Sequence, residues 1–256
     1  MNTNFIKTAK EIEIMRRGCA ILAGVILELE DIIDVGVTGL EIDVLAEKLI
    51  REAGCEPAFK GYGAEEGNPF PGTICFSVNN GIVHGIPSDY KIKDGDVVKI
   101  DIGLKHRGYF ADMARSFLIG NVSDEAVQLV ETTKKAFYKG FSTIKDGSTL
   151  FEFASAVQNC AESKGYHMVK NLVGHGIGKE LHELPQIPNY VSKKMDNFTF
   201  HAGMIVAIEP MVNIGTSENK IADDGWTFET VDGSLSAHWE NTILVTKKGT
   251  EILTQI

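Results

Sequence analysis

Cysteine is scarce and unpaired in this chain. Its four residues, Cys19, Cys55, Cys75 and Cys160, form no C-x-x-C pair, so the sequence indicates neither a zinc finger nor a disulfide framework. An export signal is also missing. MNTNFIKTAKEIEIMRR contains no hydrophobic run, and Glu28 and Glu30 interrupt the apolar stretch that follows it. The N-terminus therefore reads as neither a secretory signal nor a membrane span, and the cytoplasm is the expected compartment. Positive charge is in deficit, with 25 Lys and Arg against 35 Asp and Glu and a net charge of -10. That balance opposes nonspecific binding to nucleic acid or to an anionic membrane. No Pro/Ser-rich linker or low-complexity tract divides the 256 residues, so a single domain over 1–256 is expected. The 43 % hydrophobic content is ample for one substantial core.

Beneath this ordinary composition lies a weak internal repeat. VGVTGLEIDVLAEKLIREAG, ending at Gly54, resembles DGSTLFEFASAVQNCAESKG, ending at Gly165. Both show apolar residues at helical spacing, a hydroxyl residue as N-cap (Thr38; Ser148 or Thr149) and a terminal glycine. VHGIP around His84 then matches GHGIG around His175, and DGDVVKID, ending at Asp101, matches HAGMIVAIE, ending at Glu209. Another helix precedes each repeat, over 8–31 and 123–140. Two such halves predict an α+β architecture: one curved, mostly antiparallel sheet with helices on one face.

Four carboxylates sit within runs that otherwise read as buried strand: Asp101 in VVKIDIGL, Asp112 in YFADMARSF, Glu209 in MIVAIEPMV and Glu240 in SAHWENTILV. A buried carboxylate demands a partner, because its desolvation costs several kcal/mol. Lys and Arg are too few in these segments to neutralise all four, which makes a bound metal the better account. Asp101 and Asp112 flank a polar hairpin loop at 105–108, and a loop centred on His106 and Arg107 would set the two directly opposite each other. His175, between Gly174 and Gly176, supplies a candidate nitrogen ligand where the backbone can approach closely. One imidazole among carboxylates suits Mn, Fe, Co or Zn without choosing among them. His84 and His182 could polarise a carbonyl or move a proton. His106, His167, His201 and His238 read as surface or packing residues.

Taken together, KIDIG, YFADMARSF, GHGIG, IVAIEPM and SAHWENTILVT resemble the type I methionine aminopeptidases, in their short bacterial form with the pita-bread (creatinase/aminopeptidase-like) fold. The resemblance implies two divalent ions held by Asp101, Asp112, His175, Glu209 and Glu240, with Asp112 and Glu240 bridging. It implies that a dimetal-bound hydroxide attacks the carbonyl after the initiator methionine of nascent chains with a small second residue. Glu209 would act as general base, His84 would lie near the leaving amide, and His182 would touch the substrate carbonyl. Tyr62, Phe70, Cys75, Leu181 and Trp226 would form the methionine pocket. The chain departs from the usual pattern there, with an apparent insertion at 64–70, Phe59 in place of a familiar Cys and Leu181 in place of an aromatic. Asn79 and Ser236 resemble positions at a monovalent-cation site of some relatives. A monomer acting on nascent polypeptides, at the ribosome surface in one version of this reading, completes the expectation. The competing readings are an X-Pro aminopeptidase or prolidase of the same fold and a noncatalytic binding protein.

Overall fold

A computed structural model of the chain describes residues 5–192, 195 and 198–256. The first half comprises α1 (Ala9–Glu30), α2 (Gly39–Glu52), β1 (Glu56–Pro57), β2 (Ile74–Val78), β3 (Gly81–Val83), β4 (Val97–His106) and β5 (Tyr109–Leu118). The second comprises α3 (Asp124–Phe141), α4 (Leu150–Glu162), β6 (His167–Met168), β7 (Gly174–Gly176), β8 (Glu183–Ile187), β9 (Ile205–Ile208), β10 (Met211–Asn213), β11 (Asn219–Ile221), β12 (Phe228–Thr230), β13 (Ser236–His238), β14 (Asn241–Thr246) and β15 (Gly249–Ile252). All strand pairs among the described residues are antiparallel.

Local chemistry sets the helix starts. Thr8, Thr38 and Thr149 each accept the backbone N–H three residues on, while Glu11, Glu41 and Glu152 reach back to the cap N–H. These capping boxes satisfy donors that the first turn otherwise leaves unpaired. The choice left open between Ser148 and Thr149 falls to Thr149. Each second helix then ties its cap to a later segment, through Thr38 with Lys91 and Thr149 with Thr199. The helices bury Leu22, Ile26, Ile42 and Ile50 against one part of the sheet, and Leu129, Phe137, Phe153 and Val157 against the other. Burial of each such side chain contributes about 1.5–3 kcal/mol.

The repeat holds in strand register. Glu56 and Pro57 pair with Lys105 and Leu104 in the first half, as His167 and Met168 pair with Asn213 and Val212 in the second. Asp101 and Glu209 lie four residues ahead of Lys105 and Asn213, so they are counterparts, as the sequence repeat predicts. The β4–β5 hairpin departs from the expected register. Arg107 and Gly108 both adopt positive φ (49° and 84°), forming a two-residue turn centred one residue later than anticipated. Asp101 therefore faces Ala114, and Asp112 faces Gly103. The two carboxylates share a sheet face as diagonal neighbours, still close enough to share a cation.

The halves meet along β5 and the β13–β14 segment. At the centre Ala114 and Glu240 exchange backbone hydrogen bonds, N–H to O at 3.4 and 3.0 Å. On either side a buried hydroxyl takes over. Thr242 Oγ1 donates to Asp112 O (2.8 Å) and accepts from Asp112 N (3.1 Å). Ser116 Oγ donates to His238 O (2.8 Å) and accepts from His238 N (3.0 Å). The two hydroxyls are each other's counterparts in the repeat, and each grips the backbone of a residue at the site. Thr242→Val would leave the Asp112 N–H and C=O without these partners. We expect it to lower the unfolding free energy in urea by about 1–3 kcal/mol, and an unchanged midpoint would show that the hydroxyl is dispensable.

Candidate metal centre and substrate pocket

The carboxylates reach one point because the two repeats present them on the same face. Cys75 on β2 faces Asp101 on β4. On β7 and β9, His175 faces Ala207, which places it diagonally beside Glu209. The glycines of GHGIG have a spatial cause here, since a Cβ at Gly174 would collide with Ala207 O and one at Gly176 with Leu184 O. Around Glu209 the ladder opens, with Ile208 paired to Asn241 and Met211 to His238, so Glu209 lies opposite Glu240.

Donor atoms of Asp112, His175 and Glu240 all lie within 4.8 Å of one another. His175 Nε2 is 3.6 Å from Glu209 Oε1 and 3.9 Å from Asp112 Oδ2. The other ring nitrogen, Nδ1, is 2.9 Å from Gly176 O, which fixes the proton on Nδ1 and leaves the Nε2 lone pair facing the carboxylates. Asp101 completes the cluster through contact with Asp112. Asp101 Oδ1, Asp112 Oδ1 and Glu240 Oε1 are buried without a hydrogen-bond partner.

Electrostatics gives the same answer. Burial pushes the Asp101 carboxyl up to about 7, and burial with mutual repulsion raises Asp112, Glu209 and Glu240 well above the carboxylate range. Burial and the neighbouring His182 push His175 down to about 3. Arg115 leaves the repulsion largely in place. Its Nη1 donates to the backbone O of Glu240 (2.6 Å) and its guanidinium lies over the Trp239 ring. Orphaned carboxylate oxygens beside a neutral imidazole are a donor set that fits divalent cations.

One pocket joins this cluster to an apolar slot. Phe59, Tyr62, Phe70, Cys75, His84, Leu181, His182 and Trp226 line it together with Asp101, Asp112, His175, Glu209 and Glu240, around about 510 Å³ of empty space including its open mouth. Each side chain anticipated for the metal, the catalytic and the substrate positions thus comes to the same cavity. Residues 64–70 form a closed loop rather than an obstruction. Gly61 N donates to Phe70 O and Phe70 N to Tyr62 O, and a short 3-10 turn over Ala64–Glu66 bulges between them. Phe70 meets Trp226 edge to face at 5.2 Å. Tyr62 OH lies 2.8 Å from His182 Nδ1, so a hydrogen bond donated by the phenol leaves Nε2 to carry the imidazole proton. His84 is held at φ 58°, a costly conformation for a residue other than glycine and one that recurs at functional sites. Burial raises the Cys75 thiol well above its ordinary range, with nearby carboxylates adding to the effect. It therefore stays neutral, as an apolar pocket wall requires.

His238 corrects the sequence reading. It is buried, with Nε2 3.8 Å from Glu209 Oε2 and 3.9 Å from Glu240 Oε2, and neither ring nitrogen makes a hydrogen bond among the described residues. In the repeat it is the counterpart of Asp112. Its position two residues before Glu240, on the same strand face, was the available signal. Phe59 was likewise visible as a departure from pattern and now forms part of the pocket wall.

This combination of fold and donors defines a class. The chain belongs to metallopeptidase family M24, whose profile matches residues 13–247, and its donor cluster is one that could hold a metal ion. Among its relatives are the methionine aminopeptidase of Clostridium perfringens, 42 % identical with 98 % of both chains covered, and methionine aminopeptidase 1 of Bacillus subtilis, 43 % identical with 98 % of both covered. Its structure superposes on the methionine aminopeptidase of Thermotoga maritima with a TM-score of 0.93 at 38 % identity, covering 98 % of this chain and 99 % of the other. The pita-bread architecture is thereby shown. The prolidase of Pyrococcus furiosus shares it more distantly, with a TM-score of 0.80 at 25 % identity over 66 % of that chain.

A carboxyl whose folded pKa is raised contributes stability below its unfolded pKa, and that contribution is lost as pH rises through the folded value. For Asp101 the window runs from 3.8 to about 7. We expect Asp101→Asn to stabilise the metal-free protein relative to the native chain progressively across that window, while abolishing most of the thermal shift that Mn²⁺ or Co²⁺ produces at pH 8. Thermal unfolding with and without EDTA tests both parts, and a native chain that gains nothing from either ion would contradict the metal assignment.

Proposed function

We propose that this chain is a methionyl aminopeptidase that removes the N-terminal methionine from polypeptides whose second residue is small. The observation that carries this reading is the junction, in one pocket, of a buried donor cluster with a neutral apolar and thiol-lined slot. Asp101, Asp112, His175, Glu209 and Glu240 would hold two divalent ions of Mn, Fe, Co or Zn. When bound, such ions supply Lewis acidity at the scissile carbonyl and lower the pKa of a nucleophilic water.

The remaining work falls to side chains. Phe59, Phe70, Cys75, Leu181 and Trp226 would enclose the methionine thioether, for which apolar rings and a neutral thiol are suitable neighbours. His182, oriented by Tyr62, would donate from Nε2 to the substrate carbonyl oxygen. His84 would contact the leaving amide. Burial pushes its imidazole down to about 4, so it serves as a neutral hydrogen-bonding group near pH 7. Glu209 would take a proton from the attacking water and pass it to the leaving amine.

The match to methionine aminopeptidases runs the length of both chains, whereas the prolidase match covers two thirds of the larger protein. Residues 1–256 would accordingly work as one catalytic domain. We place it as a cytoplasmic monomer meeting nascent chains at the ribosome surface. Among the described residues no helix is long and apolar enough to cross a membrane.

Metal-stripped protein reconstituted with Mn²⁺, Fe²⁺ or Co²⁺ is expected to cleave Met-Ala-Ser and to leave a Phe-Pro peptide intact. Cleavage of the proline peptide alone would replace this reading with the X-Pro peptidase. Glu209→Gln should lower kcat by about 10²- to 10⁴-fold, and Phe70→Ala should lower kcat/KM for Met-Ala-Ser by about ten- to 100-fold through the methionine pocket. Equal loss for a leucine-initiated peptide in the Phe70 variant would remove Phe70 from the specificity determinants.

A further inference from the structure

The segment that follows β15 turns inward behind the metal centre. Leu253 and Thr254 are 4 % and 0 % exposed. Leu253 joins the core that includes Met15, Cys19 and Leu22 of α1, and its N–H donates to Thr242 O at 2.9 Å. The Thr254 hydroxyl is used both as donor and as acceptor. It accepts from Thr242 N at 3.2 Å and donates to Asn241 Oδ1 at 3.0 Å. Asn241 and Thr242 follow Glu240 directly in the chain, so this segment grips β14 where it leaves the donor cluster.

From Thr254 the hydrogen bonds continue in two directions, and each ends on the backbone of a carboxylate residue of the site. One path runs through Thr242, whose Oγ1 donates to Asp112 O and accepts from Asp112 N. The other runs through Asn241, whose Oδ1 also accepts from Arg115 Nη2 at 2.8 Å. Arg115 Nη1 then donates to Glu240 O at 2.6 Å and to Ala114 O at 2.8 Å. Asn241 is 1 % exposed, and its Nδ2 makes no hydrogen bond among the described residues. A buried amide that leaves its donor unpaired while its oxygen serves two donors is oriented for that oxygen. Arg115 and Asn241 are counterparts in the repeat, so their bond also joins the two halves.

We propose that Thr254 is a positioning residue for metal binding, its hydroxyl fixing the backbone of Asp112 through Thr242 and that of Glu240 through Asn241 and Arg115. Thr254 does not line the pocket, so it acts only through these neighbours. Hydrogen bonds behind the ligands raise metal affinity because they hold the donor set in place before the ion arrives. Residues 253–254 thus latch the β14–β15 hairpin to the metal centre. The inference rests on the metal reading of the donor cluster and is independent of the substrate.

Calorimetric titration of the metal-stripped protein with Mn²⁺ at pH 8 tests this, at a temperature where thermal unfolding in EDTA shows every variant to be folded. Thr254→Val, which keeps the shape and removes the hydroxyl, is expected to bind Mn²⁺ about 10- to 100-fold more weakly than the native chain. Thr254→Ser, which keeps the hydroxyl, should retain the native affinity. A hydroxyl that merely stabilised the fold would lower the unfolding temperature in EDTA and leave the Mn²⁺ dissociation constant unchanged. That result would overturn the proposal, as would a serine variant that binds as weakly as the valine variant. If the valine variant does not fold, Thr254→Ala takes its place, and failure of both to fold refutes the proposal, since the hydroxyl would then serve folding itself. A native chain that binds no Mn²⁺ would remove the metal reading and the latch with it, whereas equal binding by native and valine chains removes the latch alone.

Discussion

Repulsion among buried carboxylates is the constraint on which the rest of this structure depends. Asp101, Asp112, Glu209 and Glu240 are drawn from both halves of the chain into a space where burial raises the cost of ionising each of them, and the charge of their neighbours adds to that cost at Asp112, Glu209 and Glu240. Without a cation, the fold can hold them only by protonating some, and several oxygens still go unpaired. Divalent ions between them would turn the same proximity into an attraction that ties the halves together. Folding and metal affinity would then be aspects of one electrostatic arrangement.

The scaffold meets this constraint by duplication. Two αα-plus-strand units bring Asp101 and Glu209 to equivalent places, and the seam between β5 and the β13–β14 segment sets the distance across the centre. Ser116 and Thr242 fasten that seam with paired hydroxyl bonds. The symmetry is broken where chemistry requires it. Asp112 has His238 as its counterpart, and Glu240 has Ala114, so the repeats contribute different donors to a single site.

Much of this was legible in the sequence, and the reasons are physical. Carboxylates inside apolar runs are conspicuous because burial without a partner is so costly, and the Thr-x-x-Glu caps announce helix starts through bonds that span only three residues. The ordered motifs carried the family, the fold and the residues that gather in the pocket. Pairing across space was less visible. The Asp101–Asp112 register depended on the positive φ of Arg107 and Gly108, a turn choice that shifts every partner on the strand. His238 looked like packing because its partners, Glu209 and Glu240, converge on it through tertiary structure.

The central claim is that the two halves converge to hold divalent metal between these five donors. Anomalous diffraction from crystals grown with Mn²⁺, collected on both sides of the manganese absorption edge, tests it most directly. Two manganese peaks are expected in the pocket, one beside Asp101 and one beside His175 and Glu209, with Asp112 and Glu240 between them. Manganese bound elsewhere, or an empty cluster at saturating Mn²⁺ and pH 8, would contradict it.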